Sequence, residues 1–124
     1  MKFQSLADTF ACYSFSGFEA LAEQPFGEPS FVSAVSGDYS LIASVNAHIT
    51  QYHEVEVGWK CLVIDGEMPF ELTGIAASVT TSLASAEISV LVMSGYKTDY
   101  FFIKSELLEK AVSCLREAGH DFPS

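Results

Sequence analysis

ISVLVMSGYKTDYFFIK, residues 88–104, reads as two strands joined by a tight polar turn. Ile88 to Met93 is β-branched and apolar, and Tyr100 to Ile103 is aromatic and apolar. The linker Ser94-Gly95-Tyr96-Lys97-Thr98-Asp99 is short and contains Gly, which is a hairpin signal. Upstream, Trp59 to Ile64 has the apolar character of a strand, and Phe70 to Ala86 repeats Leu72, Ile75, Ala76, Val79, Leu83 and Ala86 at helical spacing. Downstream, Ser105 to Gly119 carries the stripe Leu107, Leu108, Ala111, Val112, Leu115 and Ala118. Ser105 suits its N-cap, and Gly119 suits the left-handed position that ends it. Asp121-Phe122 leaves room for a very short last strand. The order βαββαβ predicts an α+β, ferredoxin-like unit.

The first half is less regular. Phe10 to Phe15 predicts a strand, 18–23 a short helix, and Phe31 to Val35 and Tyr39 to Val45 two further strands around the turn Ser36-Gly37-Asp38. Residues 48–57 are polar and acidic and read as a connector that Gly58 closes. The division expected is therefore 1–57 and 58–124.

Composition bounds the function. The chain has 124 residues, and 49% are hydrophobic, enough for a real core. A formal charge of −10 excludes nucleic acid as a natural partner, because phosphate binding needs a basic surface. No apolar run approaches the ~18–20 residues of a membrane span. MKFQSLADTFACYSF lacks the apolar core of a secretory leader, so a cytoplasmic protein is expected. Cys12, Cys61 and Cys114 lie far apart, outside any metal-ligand spacing, and read as free thiols; no metal or other cofactor is expected. His48 and His53 read as solvated, and His120 as a cation at a helix C-terminus. No nucleophile elbow, phosphate loop or zinc-helix motif occurs, so an enzyme is not expected.

Gly58-Trp59-Lys60-Cys61-Leu62, Phe70-Glu71-Leu72-Thr73-Gly74-Ile75, Ile88-Ser89-Val90 and Ser94-Gly95-Tyr96-Lys97-Thr98-Asp99-Tyr100 resemble the ACT domains of a family of small bacterial two-ACT proteins. The same ACT subfamily occurs in the cytosolic arginine sensor of animal cells. The likeness covers about Gly58 to Phe122. The first half is similar to the degenerate N-terminal ACT-like half of those proteins in strand order and its Phe-rich start. Where relatives often read Ser-Thr-Tyr, this chain has Ser94-Gly95-Tyr96. The resemblance implies a regulatory module that binds an amino acid or another small ligand, usually where two ACT units meet. The candidate ligand-binding residues are Thr73, Gly74, Ile75, Ser94, Gly95, Tyr96, Thr98 and Asp99.

A helix N-terminus suits a carboxylate, with Gly74 allowing close approach and Thr73 adding a hydroxyl. Asp99 suits an ammonium. The acidic run Asp65, Glu67, Glu71 favours a basic or neutral amino acid over an anionic one. Structural readings stand beside these. Thr98-Asp99 can cap backbone groups in the turn, Thr73 can be a plain N-cap, Gly74 can serve helix packing, and Trp59 and Tyr100 can be core. A ligand-free interaction scaffold is the competing function. Both faces of the hairpin are apolar, Ile88, Val90 and Val92 against Leu91 and Met93, which predicts a homodimer covering the second face.

Overall fold

The computed structural model describes residues 1–65 and 74–123. Their elements run β1 (Phe3–Ser5), β2 (Phe10–Phe15), α1 (Phe18–Ala22), β3 (Ser30–Val35), β4 (Asp38–Ser44), β5 (Glu54–Ile64), α2 (Ile75–Ser85), β6 (Leu91–Ser94), β7 (Asp99–Lys104) and α3 (Leu108–Glu117), with a 3-10 turn at Ser105–Leu107 leading into α3. The chain forms two compact units, one of Met1–Ala7 with Lys60–Ser124, the other of Asp8–Trp59. The α+β class expected from the sequence is observed, with antiparallel pairing of β2 with β4, β3 with β4, β1 with β5, and β6 with β7.

In the unit of residues 8–59 the strand order is β3-β4-β2-β5. Ala11, Tyr13 and Phe15 alternate along β2 and turn to one face, where Leu41 and Ala43 of β4 meet them. Leu21 of α1 and Ile49 close this core. The expected connector at 48–57 is corrected here: Glu54 to Val57 already belongs to β5. Glu-Val-Glu-Val alternates with period two, and that pattern, rather than its acidity, decides the conformation. Gly58 does not close a connector but lies inside the strand. Between Phe10↔Trp59 and Cys12↔Glu56, β5 spends one more residue than β2. Gly58 absorbs this bulge at φ 83°, a conformation that favours glycine.

In the other unit the order is β1-β5-β7-β6. Phe3, Leu62, Ile64, Phe101 and Ile103 project from one face of these strands. Val79 and Leu83 of α2, and Ala111 and Leu115 of α3, sit four residues apart on their helices and cover that face. On the opposite face Cys61, Val63 and Phe102 are also buried. The fourth strand of this unit is β1, not a strand after α3. Past α3 the chain reaches the sheet as one isolated parallel bridge, Lys2↔Asp121. The sequence division at 57/58 places residues 1–7 with the first half, whereas the burial of Phe3 groups them with Lys60–Ser124.

Three element boundaries differ from expectation. Helix α2 begins at Ile75, because Gly74 has φ 86° and interrupts any helix running from Phe70; residues 70–73 lie outside the described residues. Strand β6 begins at Leu91 rather than Ile88. Ile88 instead ends α2: its amide donates to Leu83 O (2.9 Å) while that of Glu87 donates to Ala84 O (2.9 Å), with Glu87 left-handed at φ 60°. The same pair of bonds ends α3, from His120 to Leu115 O and from Gly119 to Arg116 O, both 3.0 Å. Gly119 takes the left-handed position there, as the sequence predicts.

Candidate functional site

The β6–β7 hairpin and the segment between β5 and α2 carry the residues singled out by the sequence. The hairpin closes on the pair Ser94↔Asp99, and the Gly95 amide donates to Thr98 O at 2.9 Å. Thr98 is buried, and its hydroxyl donates to Ile64 O at 3.2 Å. That bond ties the turn to the last residue of β5, next to the point where the chain leaves for α2. Ser94, Gly95 and Tyr96 are exposed, and Asp99 is half-buried. Tyr96 is 80% exposed and forms no part of the core.

Gly95 has a packing reason. A Cβ there would stand 3.3 Å from Cε2 of Tyr100 and 3.4 Å from Thr98 O, so a larger residue would push the ring aside. The Ser-Gly-Tyr variation therefore fits how Tyr100 lies over the turn. At Gly74 no atom lies within 4 Å of an added Cβ. Its glycine serves the left-handed turn into α2, and the close-packing reading falls away. Gly74 O accepts the first helical bond, from the Ser78 amide at 2.8 Å. The amides of Ile75, Ala76 and Ala77 open the helix, where geometry supplies no intrahelical acceptor. Thr73, the remaining candidate, lies outside the described residues, as do Glu67 and Glu71.

Other groups resolve differently from expectation. His120 is not a solvated cation but a buried ring. Its Nε2 lies 3.2 Å from Ser78 Oγ, its face meets Phe3 edge-on at 5.2 Å, and its Nδ1 has no partner. Burial lowers its pKa below the ordinary 6.5, so it is held neutral. Its neighbours in sequence, a C-cap glycine and an aspartate, gave no sign of this. Trp59 is core, as its structural reading has it. Cys61 is buried, and burial pushes its thiol up to about 12. Cys12 and Cys114 are half-buried free thiols. No cluster of three or more metal-ligating side chains occurs among the described residues.

Two concavities lie elsewhere. One, of about 300 Å³, is walled by Lys2, Gln4, Asp65, Asp121 and Phe122 in the larger unit. Another, of about 250 Å³, lies among Asp8, Glu28, Ser30 and Asn46 in the smaller. Neither is lined by Gly74, Ile75 or residues 94–99.

Comparison with known proteins follows the same lines. The ACT domain family model matches residues 54–117, just over half of the chain. A crystal structure of an Agobacterium tumefaciens protein superposes with TM-score 0.84 at 25% identity, over 98% of this chain and 91% of that one. Escherichia coli aspartokinase III, solved with aspartate and ADP, matches with TM-score 0.67 at 14% identity, over 94% of this chain and 32% of its own length. The regulatory subunit of Thermus thermophilus aspartate kinase gives 0.60 at 12%, over 90% and 93%. These last two likenesses show the fold alone. No curated protein matches the sequence. The tandem ACT-like arrangement expected from the sequence is thus observed.

Proposed function

The chain belongs to the ACT domain family, a family of regulatory modules rather than catalysts, and from that premise we propose that it binds a small ligand of the amino-acid class and relays that state to a partner. The binding residues in this reading are Thr73, Gly74 and Ile75 before and at the start of α2, with Ser94, Gly95, Tyr96, Thr98 and Asp99 of the hairpin. The observation that carries it is the Thr98–Ile64 bond, which anchors the hairpin turn where the β5–α2 segment departs. The amides opening α2 suit a carboxylate, and Asp99 suits an ammonium. The structure of aspartokinase III with aspartate lends the amino-acid class support. The narrower likeness, to the ACT subfamily of the arginine sensor, belongs to this proposal too. Ligand binding would act by favouring one of two conformations of the module.

We propose a homodimer as well. Leu91 and Val92 of the outer strand β6 are exposed, and β6 lies at the end of the sheet order. A monomeric mass by light scattering at micromolar concentration would remove this part.

The test is a thermal-shift screen against the common amino acids. A ligand at a hundredfold over its Kd adds about 2.7 kcal/mol, a rise on the order of 10 °C for a domain of this size. Asp99→Ala is expected to abolish that rise and leave the unliganded melt within a few degrees. A second reading, a ligand-free ACT scaffold, is favoured by the Thr98 hydroxyl being spent on a backbone carbonyl. A flat screen supports it.

A further inference from the structure

The cleft beside β1 has the chemistry of a second binding site, remote in composition from the hairpin. Its walls are fixed by backbone bonds. The Asp65 amide donates to Lys2 O (2.8 Å), the Phe3 amide to Asp121 O (2.8 Å), and the Asp121 amide to Met1 O (2.9 Å). One wall is the ring of Phe122. It stacks on Phe3 at 5.3 Å and 19°, and the Arg116 guanidinium lies 5.7 Å from its centre. An aromatic held by a second ring and a cation is a rigid wall.

Three charged side chains line the same cleft. Lys2 is the one basic residue before Gly58 in the sequence. Asp65 and Asp121 face it in the lining. None of the three forms a salt bridge among the described residues, so their charges are spent on water. An ammonium and two carboxylates around one small cleft present donors to an anionic group and acceptors to two cationic ones. Gln4 adds an amide that can donate or accept. At about 300 Å³ the cleft is at the small end of ligand pockets, of a size for a single small molecule.

We propose that this cleft binds a small diamino monocarboxylic acid, with Lys2 holding the carboxylate and Asp65 and Asp121 the two ammonium groups. The two-to-one ratio of carboxylate to ammonium selects a ligand of net positive charge, and a dicarboxylic acid is rejected by the same groups. This site goes beyond the hairpin reading and does not depend on it.

The experiment is calorimetric titration of the full chain near neutral pH with L-lysine as probe. Beside it run cadaverine, which lacks the carboxylate, and 6-aminohexanoate, which lacks the α-ammonium. Lysine is expected to bind, and each analogue to bind at least about tenfold more weakly, as does lysine to Lys2→Ala and to Asp121→Asn. Both altered side chains are exposed, so the fold is retained. Asp99→Ala is expected to leave lysine affinity unchanged. Absence of lysine binding up to about 10 mM overturns the proposal, as does undiminished affinity in both cleft variants. Affinity lost in Asp99→Ala and kept in Lys2→Ala overturns it too, and moves the ligand to the hairpin. An amino acid other than lysine, lost on Asp99→Ala, leaves the hairpin reading standing alone.

Discussion

Two residues show how a polar group inside this fold is committed. Thr98 resembles a ligand donor in sequence, yet its hydroxyl donates to Ile64 O. Thr98→Val keeps the shape and strips that donor from a buried carbonyl. A loss of about 1–3 kcal/mol in urea unfolding is expected. His120 is committed by burial. Its folded-state pKa is below the unfolded value of 6.5, so the unfolded chain binds the extra proton first as pH falls. Stability contributed by the neutral ring is therefore complete above 6.5 and drains away as pH drops through 6.5 toward the folded value. Denaturation midpoints measured from pH ~7 down to ~5 should fall more steeply in the wild type than in His120→Gln. Parallel slopes would place the acid sensitivity elsewhere.

At the scale of elements, the ends of helices decide more than their middles. The apolar spacing of α2 and α3 was legible, since Val79, Leu83, Ala111 and Leu115 are core as the stripes require. The start of α2 was not, because a periodic pattern says nothing of the φ that Gly74 adopts. The end of α2 was hidden too. Glu87 is an unlikely residue for a left-handed cap by composition, and the apolar run from Ile88 reads as strand. Glu87→Gly relieves the cost of a side chain at φ 60°, about 1–2 kcal/mol, against the larger entropy glycine loses. A small rise in melting temperature is expected. A fall would mean the glutamate side chain contributes something its backbone conceals. Of the candidate site, the hairpin and Gly74 were legible as special positions, but the function of each glycine was not. Gly95 answers to the Tyr100 ring and Gly74 to its own backbone, and neither fact has a signature in the string of letters.

At the scale of the molecule, the sequence is read in one direction and the fold is not. Phe3 is buried among residues from Leu62 onward, beyond the reach of any local pattern. A chain lacking residues 1–7 should lose at least the ~3–5 kcal/mol of a deleted core aromatic, visible as a lowered urea midpoint. An unchanged midpoint would show that β1 is dispensable. The place of β1 also carries a consequence for synthesis. Phe3–Ser5 is among the first segments to leave the ribosome, yet its partners Leu62–Ile64 and its bridge to Asp121 come much later. While the intervening chain is being made, the earliest strand waits without a sheet, its phenylalanine open to any passing apolar surface. A rearranged gene that moved codons 1–7 behind codon 123 would deliver the same strand last, beside the bridge that Lys2 and Asp121 already form, and would shorten that wait to nothing.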